Sequence, residues 1–187
     1  MQLEKGSIKD FDNFYNLYKL SFPKNEQKPK LMLKNAIKSG RYDLFVLYDE
    51  ELFAGFMLSV PVKDSDIVML DYLAVNTNAR QKGYGTFILN EVVKQYDNKK
   101  IFLACEMIDE TAQNNEQRIK RLGFYHKNGW KNTGLLTDGA SGKMYVMSFN
   151  PITENEYLLA QTYALGNTLM KLGKMTVSYN KQLDEFI

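Results

Sequence analysis

The spacing of apolar side chains along the first half of the chain changes from a helical rhythm to a strand-like one. Aromatic residues at helical spacing over 11–22 predict one helix, and a polar loop separates it from a second helix over 31–39. From residue 42 onwards the pattern is typical of strands, because the apolar run over 42–62 is divided by an acidic turn and indicates a hairpin. A further apolar strand is predicted over 67–75.

The second half of the chain continues as loop, helix, strand, helix and strand. A polar loop with glycines follows Val75, helices are predicted over 86–96 and 116–127, and strands are predicted over 100–107 and 143–149. This order predicts an α/β (α+β) fold with a mixed, mostly antiparallel sheet, a central parallel strand pair and flanking helices.

Pro151 marks the end of one predicted domain over 1–150. Beyond it, a capping-box pattern at Thr153 starts a predicted C-terminal helix. The apolar face of this helix is predicted to consist of four leucines, Leu158, Leu165, Leu169 and Leu172. We expect this helical extension, residues 151–187, to pack on the domain or to join two subunits of a homodimer.

The composition narrows the classes of protein that fit. The chain has 187 residues and a net charge of +2, so no long-range field would attract nucleic acid or an anionic membrane. One cysteine and one histidine argue against a disulfide framework and against a metal site. No apolar run approaches the ~18 residues of a membrane span, and no signal peptide is visible, so a cytoplasmic protein is expected.

The most informative segment is a loop that joins an apolar strand directly to a helix. Its glycines, Gly83 and Gly85, let an anion approach the backbone, and free N–H groups at a helix start attract negative charge. Arg80 and Lys82 add positive charge, so the loop favours binding of a phosphate or pyrophosphate. Neither the Walker pattern nor the dinucleotide-binding fingerprint fits the residues that follow Gly85. A plain strand-to-helix turn is the alternative explanation for the glycines.

The motif Arg80-x-x-Gly83-x-Gly85 resembles the Arg/Gln-x-x-Gly-x-Gly/Ala signature of the GNAT N-acetyltransferases. In that family the loop holds the pyrophosphate of coenzyme A, and a bulge in the preceding strand offers backbone groups to the pantetheine arm. The resemblance therefore implies that acetyl-coenzyme A is the cosubstrate. The residues to which it assigns coenzyme contacts are Leu73, Val75, Arg80, Gln81, Lys82, Gly83, Tyr84, Gly85 and Thr86.

A second motif lies further along the chain, on a predicted helix that follows a strand. Phe124-Tyr125-x-Lys127-x-Gly129-Trp130 resembles the family pattern Phe-Tyr-x-Lys/Arg-x-Gly-Phe. In the family the matching tyrosine lies near the coenzyme sulfur, which implies that Tyr125 protonates the departing thiolate. A phenol with a pKa of about 10 stays protonated at neutral pH and can serve as this acid. An aromatic wedge between helix and sheet is the alternative role of Tyr125.

The attacking amine must lose its proton, and Glu106 closes a predicted strand at a position where many relatives carry Glu. This resemblance assigns Glu106 as the general base, acting through a water molecule. Ordering the neighbouring loop or binding a cationic substrate are its alternative roles. Many relatives place an Asn seven residues before the motif tyrosine, where this chain has Arg118. We therefore expect either Asn114 or Arg118 to contact the pantetheine arm.

Together these features predict a bacterial-type acyltransferase that moves acetyl from acetyl-coenzyme A to a primary amine by direct attack in a ternary complex. The acceptor is expected to be a small-molecule or protein amine, bound by residues 21–39 and a loop over 133–142, and no metal is expected. The alternative is a non-catalytic module that binds coenzyme A as a sensor or regulator. Release of free thiol from acetyl-coenzyme A in the presence of amines would distinguish the two.

Overall fold

The computed structural model describes residues 2–79, 82–166 and 175–186. Four residues of the sequence-based prediction lie outside these ranges: Arg80, Gln81, Leu169 and Leu172. The chain divides into two compact units, Met1–Lys99 and Lys100–Ile187. Within the described ranges, no helix is long and apolar enough to cross a membrane.

The described residues of the first unit form four strands and three α-helices. These elements are β1 (Gln2–Lys5), α1 (Phe11–Ser21), α2 (Lys30–Lys38), β2 (Asp43–Asp49), β3 (Leu52–Pro61), β4 (Ile67–Val75) and α3 (Tyr84–Gln95). The strands pair in an antiparallel meander in the order β1-β2-β3-β4. Short 3-10 turns, Ile8–Asp10 and Thr77–Ala79, precede α1 and follow β4. The predicted helices of this half, the predicted hairpin and the predicted strand over 67–75, which is β4, are confirmed.

Aromatic side chains of α1 supply much of the core of this unit. Phe14 meets Phe56 of β3 edge to face, with the ring centroids 4.7 Å apart. Tyr18 meets Tyr72 of β4 in the same way, at 4.9 Å. All four rings are buried. The helical spacing of aromatic residues in the sequence is therefore the spacing of the side of α1 that faces the sheet.

β4 carries a bulge shortly before the cofactor loop. Leu58 of β3 pairs with Tyr72, but the next residue, Ser59, pairs with Leu70, so Asp71 is the extra residue on β4. A bulge in this strand is what the resemblance to the GNAT family implies. Its presence in β4 agrees with a strand built to turn backbone groups towards a ligand.

The described residues of the second unit form four strands and two α-helices. These elements are β5 (Lys100–Glu106), α4 (Asn115–Lys127), β6 (Lys131–Asp138), β7 (Met144–Ser148), α5 (Glu154–Leu165) and β8 (Thr176–Asp184). The strands lie in the order β5-β7-β6-β8, and every neighbouring pair is antiparallel. The predicted strands over 100–107 and 143–149 and the predicted helix over 116–127 are confirmed with small shifts of their ends.

Two strands of this unit, β6 and β8, are missing from the sequence-based prediction. The loop predicted over 133–142 is wrong as far as Asp138, because β6 continues to that residue. The helical extension predicted for 151–187 is wrong over Thr176–Asp184, which is a strand paired with β6. β6 is interrupted by Gly134, and β8 is a mostly polar edge strand, so neither shows a clear apolar alternation. The domain division at residue 150 stays a prediction.

α5 begins with the predicted capping box. Thr153 Oγ1 accepts a hydrogen bond from the Glu156 N–H at 3.3 Å, and the Glu156 carboxylate accepts one from the Thr153 N–H at 2.8 Å. The prediction of a leucine face is wrong for the described part of this helix. Its buried positions are Tyr157, Ala160, Gln161 and Ala164, whereas Leu158 and Leu165 are only partly buried. Alanine and glutamine contribute little to an apolar periodicity, which hides this face in the sequence.

Candidate functional site

The phosphate loop predicted from the sequence leads into the first turn of α3. Gly83 is the N-cap of this helix, with a φ of 78°, and α3 begins at Tyr84, slightly before the predicted start at Thr86. The first hydrogen bond of the helix joins the Phe87 N–H to the Gly83 carbonyl at 3.0 Å. The N–H groups of residues 84–86 thus precede the helical ladder, and no side-chain cap is present among the described residues. This turn can offer several backbone donors to an anion.

Glycine is needed at position 83 because of its backbone conformation, not because of crowding. A Cβ atom built on Gly83 has no neighbour within 4 Å. The left-handed φ of this residue, however, costs other residues about 1–2 kcal/mol. The open space beside Gly83 agrees with the sequence argument that glycine leaves room for an anion near the backbone.

The side chain of Tyr84 anchors this turn to the β2–β3 hairpin. Its hydroxyl donates a hydrogen bond to the carboxylate of Asp49, at the end of β2. This bond, followed by burial, raises the pKa of Tyr84 above its ordinary value. The Lys82 ammonium lies 5.9 Å from the centroid of the Tyr84 ring. Because the hydroxyl of Tyr84 is bonded to Asp49, the part of Tyr84 that can contact a ligand is its backbone.

The two strand residues expected to bind the pantetheine arm, Leu73 and Val75, follow the bulge in β4. Their side chains are partly exposed, and they pair with Met57 and Gly55 of β3. A Cβ atom built on Gly55 would lie 2.7 Å from the Ala74 carbonyl oxygen, so the two strands approach closely there. This close pairing fixes the end of β4 on its β3 side. The pantetheine contacts themselves stay predictions.

In the second unit, the carboxylate of Glu106 ties the end of β5 to α4. Its Oε2 atom forms an ion pair with the Arg121 guanidinium. Its Oε1 atom accepts a hydrogen bond from Asn114 Nδ2 at 3.2 Å and lies 3.5 Å from Arg118 Nε. Only 9% of the Glu106 side chain is exposed. Both carboxylate oxygens therefore face donors of α4 or of its N-cap, in charge-assisted contacts that fix the side chain.

The polar side chains at the start of α4 are also engaged with one another. Asn114, the N-cap residue, accepts a hydrogen bond from Arg118 Nε at 2.9 Å while it donates to Glu106. Arg118 Nη1 donates to the Met107 carbonyl at 2.9 Å. Either side chain thus already stabilises the junction of β5 and α4. The pantetheine contact expected of Asn114 or Arg118 stays a prediction.

Tyr125 lies on α4 among the aromatic rings of the second motif. Its ring centroid is 5.3 Å from that of Phe124 and 6.3 Å from that of Trp130. Burial raises the pKa of Tyr125 well above its ordinary value, the nearby Cys105 raises it further, and the positive charge of Arg121 lowers it. The phenol is therefore protonated at neutral pH, as a proton donor must be.

The rest of the second motif holds the end of α4 in place. Gly129 has a φ of 85°, and the Trp130 N–H donates to the Tyr125 carbonyl at 3.1 Å. The Trp130 side chain is buried and packs on Phe149 with the ring centroids 4.4 Å apart. These contacts fix the helical turn that carries Tyr125. The glycine and the tryptophan of the motif thus have structural roles.

The sequence-based prediction misses the ion pair between Glu106 and Arg121. A signal for it exists in the helical spacing, because Arg118, Arg121 and Tyr125 follow one another at intervals of three and four residues. Such residues share one face of a helix. Lys120, next to Arg121 in the sequence, has 79% of its side chain exposed and so lies on a different face.

A family model and the solved structures both match this chain. The model of the acetyltransferase (GNAT) domain matches residues 40–132. Among curated protein sequences, none matches. A protein from Bacteroides thetaiotaomicron that is assigned to the GNAT acetyltransferases is 17% identical, with a TM-score of 0.69 over 88% of this chain and 97% of that one.

Two further solved structures show the range of acceptors on this fold. An aminoglycoside 6'-N-acetyltransferase complexed with coenzyme A is 18% identical, with a TM-score of 0.63 over 82% of this chain and 100% of that one. The ribosomal-protein-S18-alanine N-acetyltransferase from Escherichia coli is 16% identical, with a TM-score of 0.60 over 82% and 97% of the two chains. Likeness at these identities shows the fold alone, and it confirms the predicted fold class.

Proposed function

Because the chain belongs to the GNAT acetyltransferase family, we propose that it transfers an acetyl group from acetyl-coenzyme A to a primary amine. The observation that carries this proposal is the first turn of α3, where Gly83 leads into N–H groups that have no side-chain cap among the described residues. Such a turn suits a pyrophosphate, because its backbone donors and the helix dipole both favour negative charge.

The proposed coenzyme contacts come from β4 and from the loop after it. Leu73 and Val75 use backbone groups for the pantetheine arm, beyond the bulge in β4. The residues proposed to surround the pyrophosphate are Arg80, Gln81, Lys82, Gly83, Tyr84, Gly85 and Thr86. Of these, Tyr84 contributes its backbone, since its hydroxyl is bonded to Asp49.

The chemistry proposed is direct transfer within a ternary complex of enzyme, acetyl-coenzyme A and amine. The nitrogen lone pair attacks the thioester carbonyl carbon, and the tetrahedral intermediate collapses with cleavage of the carbon–sulfur bond. The departing thiolate takes a proton from the Tyr125 hydroxyl, which is protonated at neutral pH. The reaction forms no acyl-enzyme intermediate and therefore requires no nucleophilic side chain.

Glu106 is the residue that the resemblance to the family offers for deprotonating the amine. The general-base role of Glu106 stays a prediction of the sequence, and its contacts favour a different task. A base must be free to accept a proton, whereas both oxygens of Glu106 already face donors of α4 or its N-cap. The pantetheine contact proposed for Asn114 competes in the same way with its hydrogen bonds to Glu106 and Arg118.

The acceptor is proposed to be a small-molecule or protein amine. The support is the pair of similar folds that act on an aminoglycoside and on the alanine of a ribosomal protein. Placement in the cytoplasm and assembly into a homodimer stay predictions of the sequence.

The test is release of free thiol from acetyl-coenzyme A in the presence of a panel of amines. The panel contains aminoglycosides, polyamines, amino acids and peptides with an N-terminal alanine, and each acetylated product is identified by mass. Turnover that disappears with Gly83→Glu and falls sharply with Tyr125→Phe supports the proposal. Binding of coenzyme A without turnover, unchanged by Tyr125→Phe, would support the non-catalytic module instead.

A further inference from the structure

Arg121 of α4 lies one helical turn from Tyr125, the proposed proton donor, and forms an ion pair with the buried carboxylate of Glu106. It lies one turn before Tyr125 on α4, so the two side chains share one face of the helix. Its guanidinium forms an ion pair with Oε2 of Glu106, whose side chain is 9% exposed. This ion pair fixes the position of the positive charge relative to the helix face that carries Tyr125.

We propose that Arg121 stabilises the negative charge that Tyr125 acquires when it protonates the departing thiolate, and that Glu106 positions the Arg121 guanidinium for this task. The inference rests on the proposed acetyl transfer and deepens it. The amine nitrogen bonds to the thioester carbon, the carbon–sulfur bond breaks, and the sulfur takes the phenolic proton. Tyr125 is then a phenolate beside a guanidinium, and the proton given up by the amine restores the phenol.

Transfer of the proton from the Tyr125 phenol to the departing thiolate needs a nearby positive charge such as that of Arg121. An ordinary thiol has a pKa of about 8.5 and an ordinary phenol one of about 10, so transfer from phenol to thiolate is uphill in water. Burial raises the pKa of Tyr125 and makes the transfer harder still. A neighbouring positive charge acts in the opposite direction, and Arg121 is the group that lowers the pKa of Tyr125.

The positive charge of Arg121 also acts on Cys105, the only cysteine of the chain. Burial raises the pKa of the Cys105 thiol to about 11, and Arg121 acts to lower it. Lys120 provides a contrast, because its side chain is 79% exposed and pairs with Glu116 at 4.0 Å. Of these two adjacent cations, Arg121 is the one that lowers the pKa of the Tyr125 phenol and of the Cys105 thiol.

Glu106 fits a positioning residue better than a base. Its carboxylate is held by Asn114 and Arg118 at Oε1 and by Arg121 at Oε2. Without that carboxylate Arg121 keeps its charge but is free to turn towards solvent. Glu106→Gln is therefore expected to slow the reaction by misplacing Arg121, while the ionisation of the true base stays in the pH profile.

The first experiment measures kcat for acetyl transfer from acetyl-coenzyme A to the best amine of the panel. Arg121→Gln is expected to lower kcat about 10- to 100-fold with little change in KM for acetyl-coenzyme A. In the Tyr125→Phe background the same change is expected to cost less than about twofold, because no phenolate forms. The matched control, Lys120→Gln, is expected to stay within about twofold. Losses that multiply in the double variant would overturn the proposal.

The second experiment separates positioning from base catalysis. Glu106→Gln is expected to lower kcat about tenfold and to keep the acidic limb of kcat/KM against pH. Disappearance of that limb would show that Glu106 is the base and would overturn its positioning role. Arg121→Lys keeps a positive charge and is expected to recover part of the kcat lost in Arg121→Gln. If Arg121→Gln folds poorly, Arg121→Met, which also removes the charge and keeps most of the aliphatic side chain, serves as the test variant.

The third experiment needs no acceptor. Protein labelled with [3-¹³C]cysteine gives one signal, from Cys105, whose titration midpoint is followed by NMR with circular dichroism as a check on folding. Arg121→Gln is expected to raise the midpoint by about one unit, and Lys120→Gln to leave it unchanged. An unchanged midpoint in Arg121→Gln defeats this inference alone. Absence of turnover with every amine in the wild type defeats the proposed function, and this inference with it.

Discussion

The Lys28 ammonium donates a hydrogen bond to the carboxylate of Asp71, the extra residue of the β4 bulge. Each side chain is only 13% exposed. The ammonium also lies 4.6 Å from the centroid of the Tyr72 ring, in a cation–π contact. This pair ties the segment between α1 and α2 to the strand that is proposed to hold the pantetheine arm. The bulge is therefore stabilised by a charge pair as well as by its backbone pairing.

Lys28→Met is expected to destabilise the protein by about 3 kcal/mol, because it leaves the Asp71 carboxylate buried and unpaired. The measurement is the free energy of unfolding in urea. Lys28→Met combined with Asp71→Asn is expected to cost less than the two single changes added together, since the double variant buries no uncompensated charge. Additive costs would show that the two side chains do not stabilise the fold as a pair. Lys38→Met, on the same unit at the end of α2, serves as the control.

Alkaline pH is expected to destabilise the fold through its buried tyrosines. Burial, with the negative charge of Asp71, raises the pKa of Tyr42 and Tyr72 far above the ordinary value of about 10. A raised folded-state pKa contributes stability that is complete below the unfolded pKa and is lost as pH rises above it. Stability is therefore expected to fall above about pH 10, by about 1.4 kcal/mol per pH unit for each such group.

Tyr42→Phe tests this alkaline loss. Urea unfolding at a series of pH values above 9 is expected to show a shallower fall for this variant than for the wild type. At pH 7 the phenol is protonated in both the folded and the unfolded state, so its ionisation does not separate the variant from the wild type there. Tyr163→Phe, at a partly exposed position on α5, is the control. An identical slope for Tyr42→Phe and wild type would contradict the assignment.

The elements that the sequence predicts correctly are those whose own residues determine them. The aromatic face of α1, the acidic turn before Leu52 and the glycine at position 83 each specify local geometry without help from distant residues. β6 and β8 depend on each other, since Leu135 pairs with Tyr179 and a Cβ atom at Gly134 would lie 2.7 Å from the Tyr179 ring. Such pairing between distant segments leaves no periodic signal in either one.

The candidate site likewise contains residues that local motifs predict and contacts that form only when distant segments pack together. Gly83 and Tyr125 could be named from short motifs, because each motif also fixes its own backbone: the left-handed N-cap of α3 and the Gly129 turn after α4. The partners of Glu106 could not, because Arg118 and Arg121 become its neighbours only when α4 packs on β5. The contacts of a side chain, more than its identity, decide whether it acts as a base or as an anchor.

Tyr125→Phe is expected to lower kcat about 100-fold while KM for acetyl-coenzyme A and the free energy of unfolding change little. The ring and its packing on Trp130 are kept, and only the proton donor is removed. Because the pKa of Tyr125 is raised, the wild-type acid stays protonated, and its activity is not expected to fall through loss of this proton below about pH 10. Thiol release measured from pH 6 to 9 checks the two statements about activity, and unfolding in urea checks the statement about stability. Tyr179→Phe, on an exposed residue of β8, is the control.

Gly83 and Gly40 form a matched pair for testing the coenzyme loop. Their φ angles are 78° and 73°, and a Cβ atom built on either has no neighbour within 4 Å. Replacement by alanine is therefore expected to cost about 1–2 kcal/mol of unfolding free energy at both positions. Only Gly83 lies at the start of α3, so only Gly83→Ala is expected to weaken coenzyme A binding, by about tenfold or more in calorimetric titration. Equal affinities of Gly83→Ala and Gly40→Ala for coenzyme A would place the pyrophosphate elsewhere.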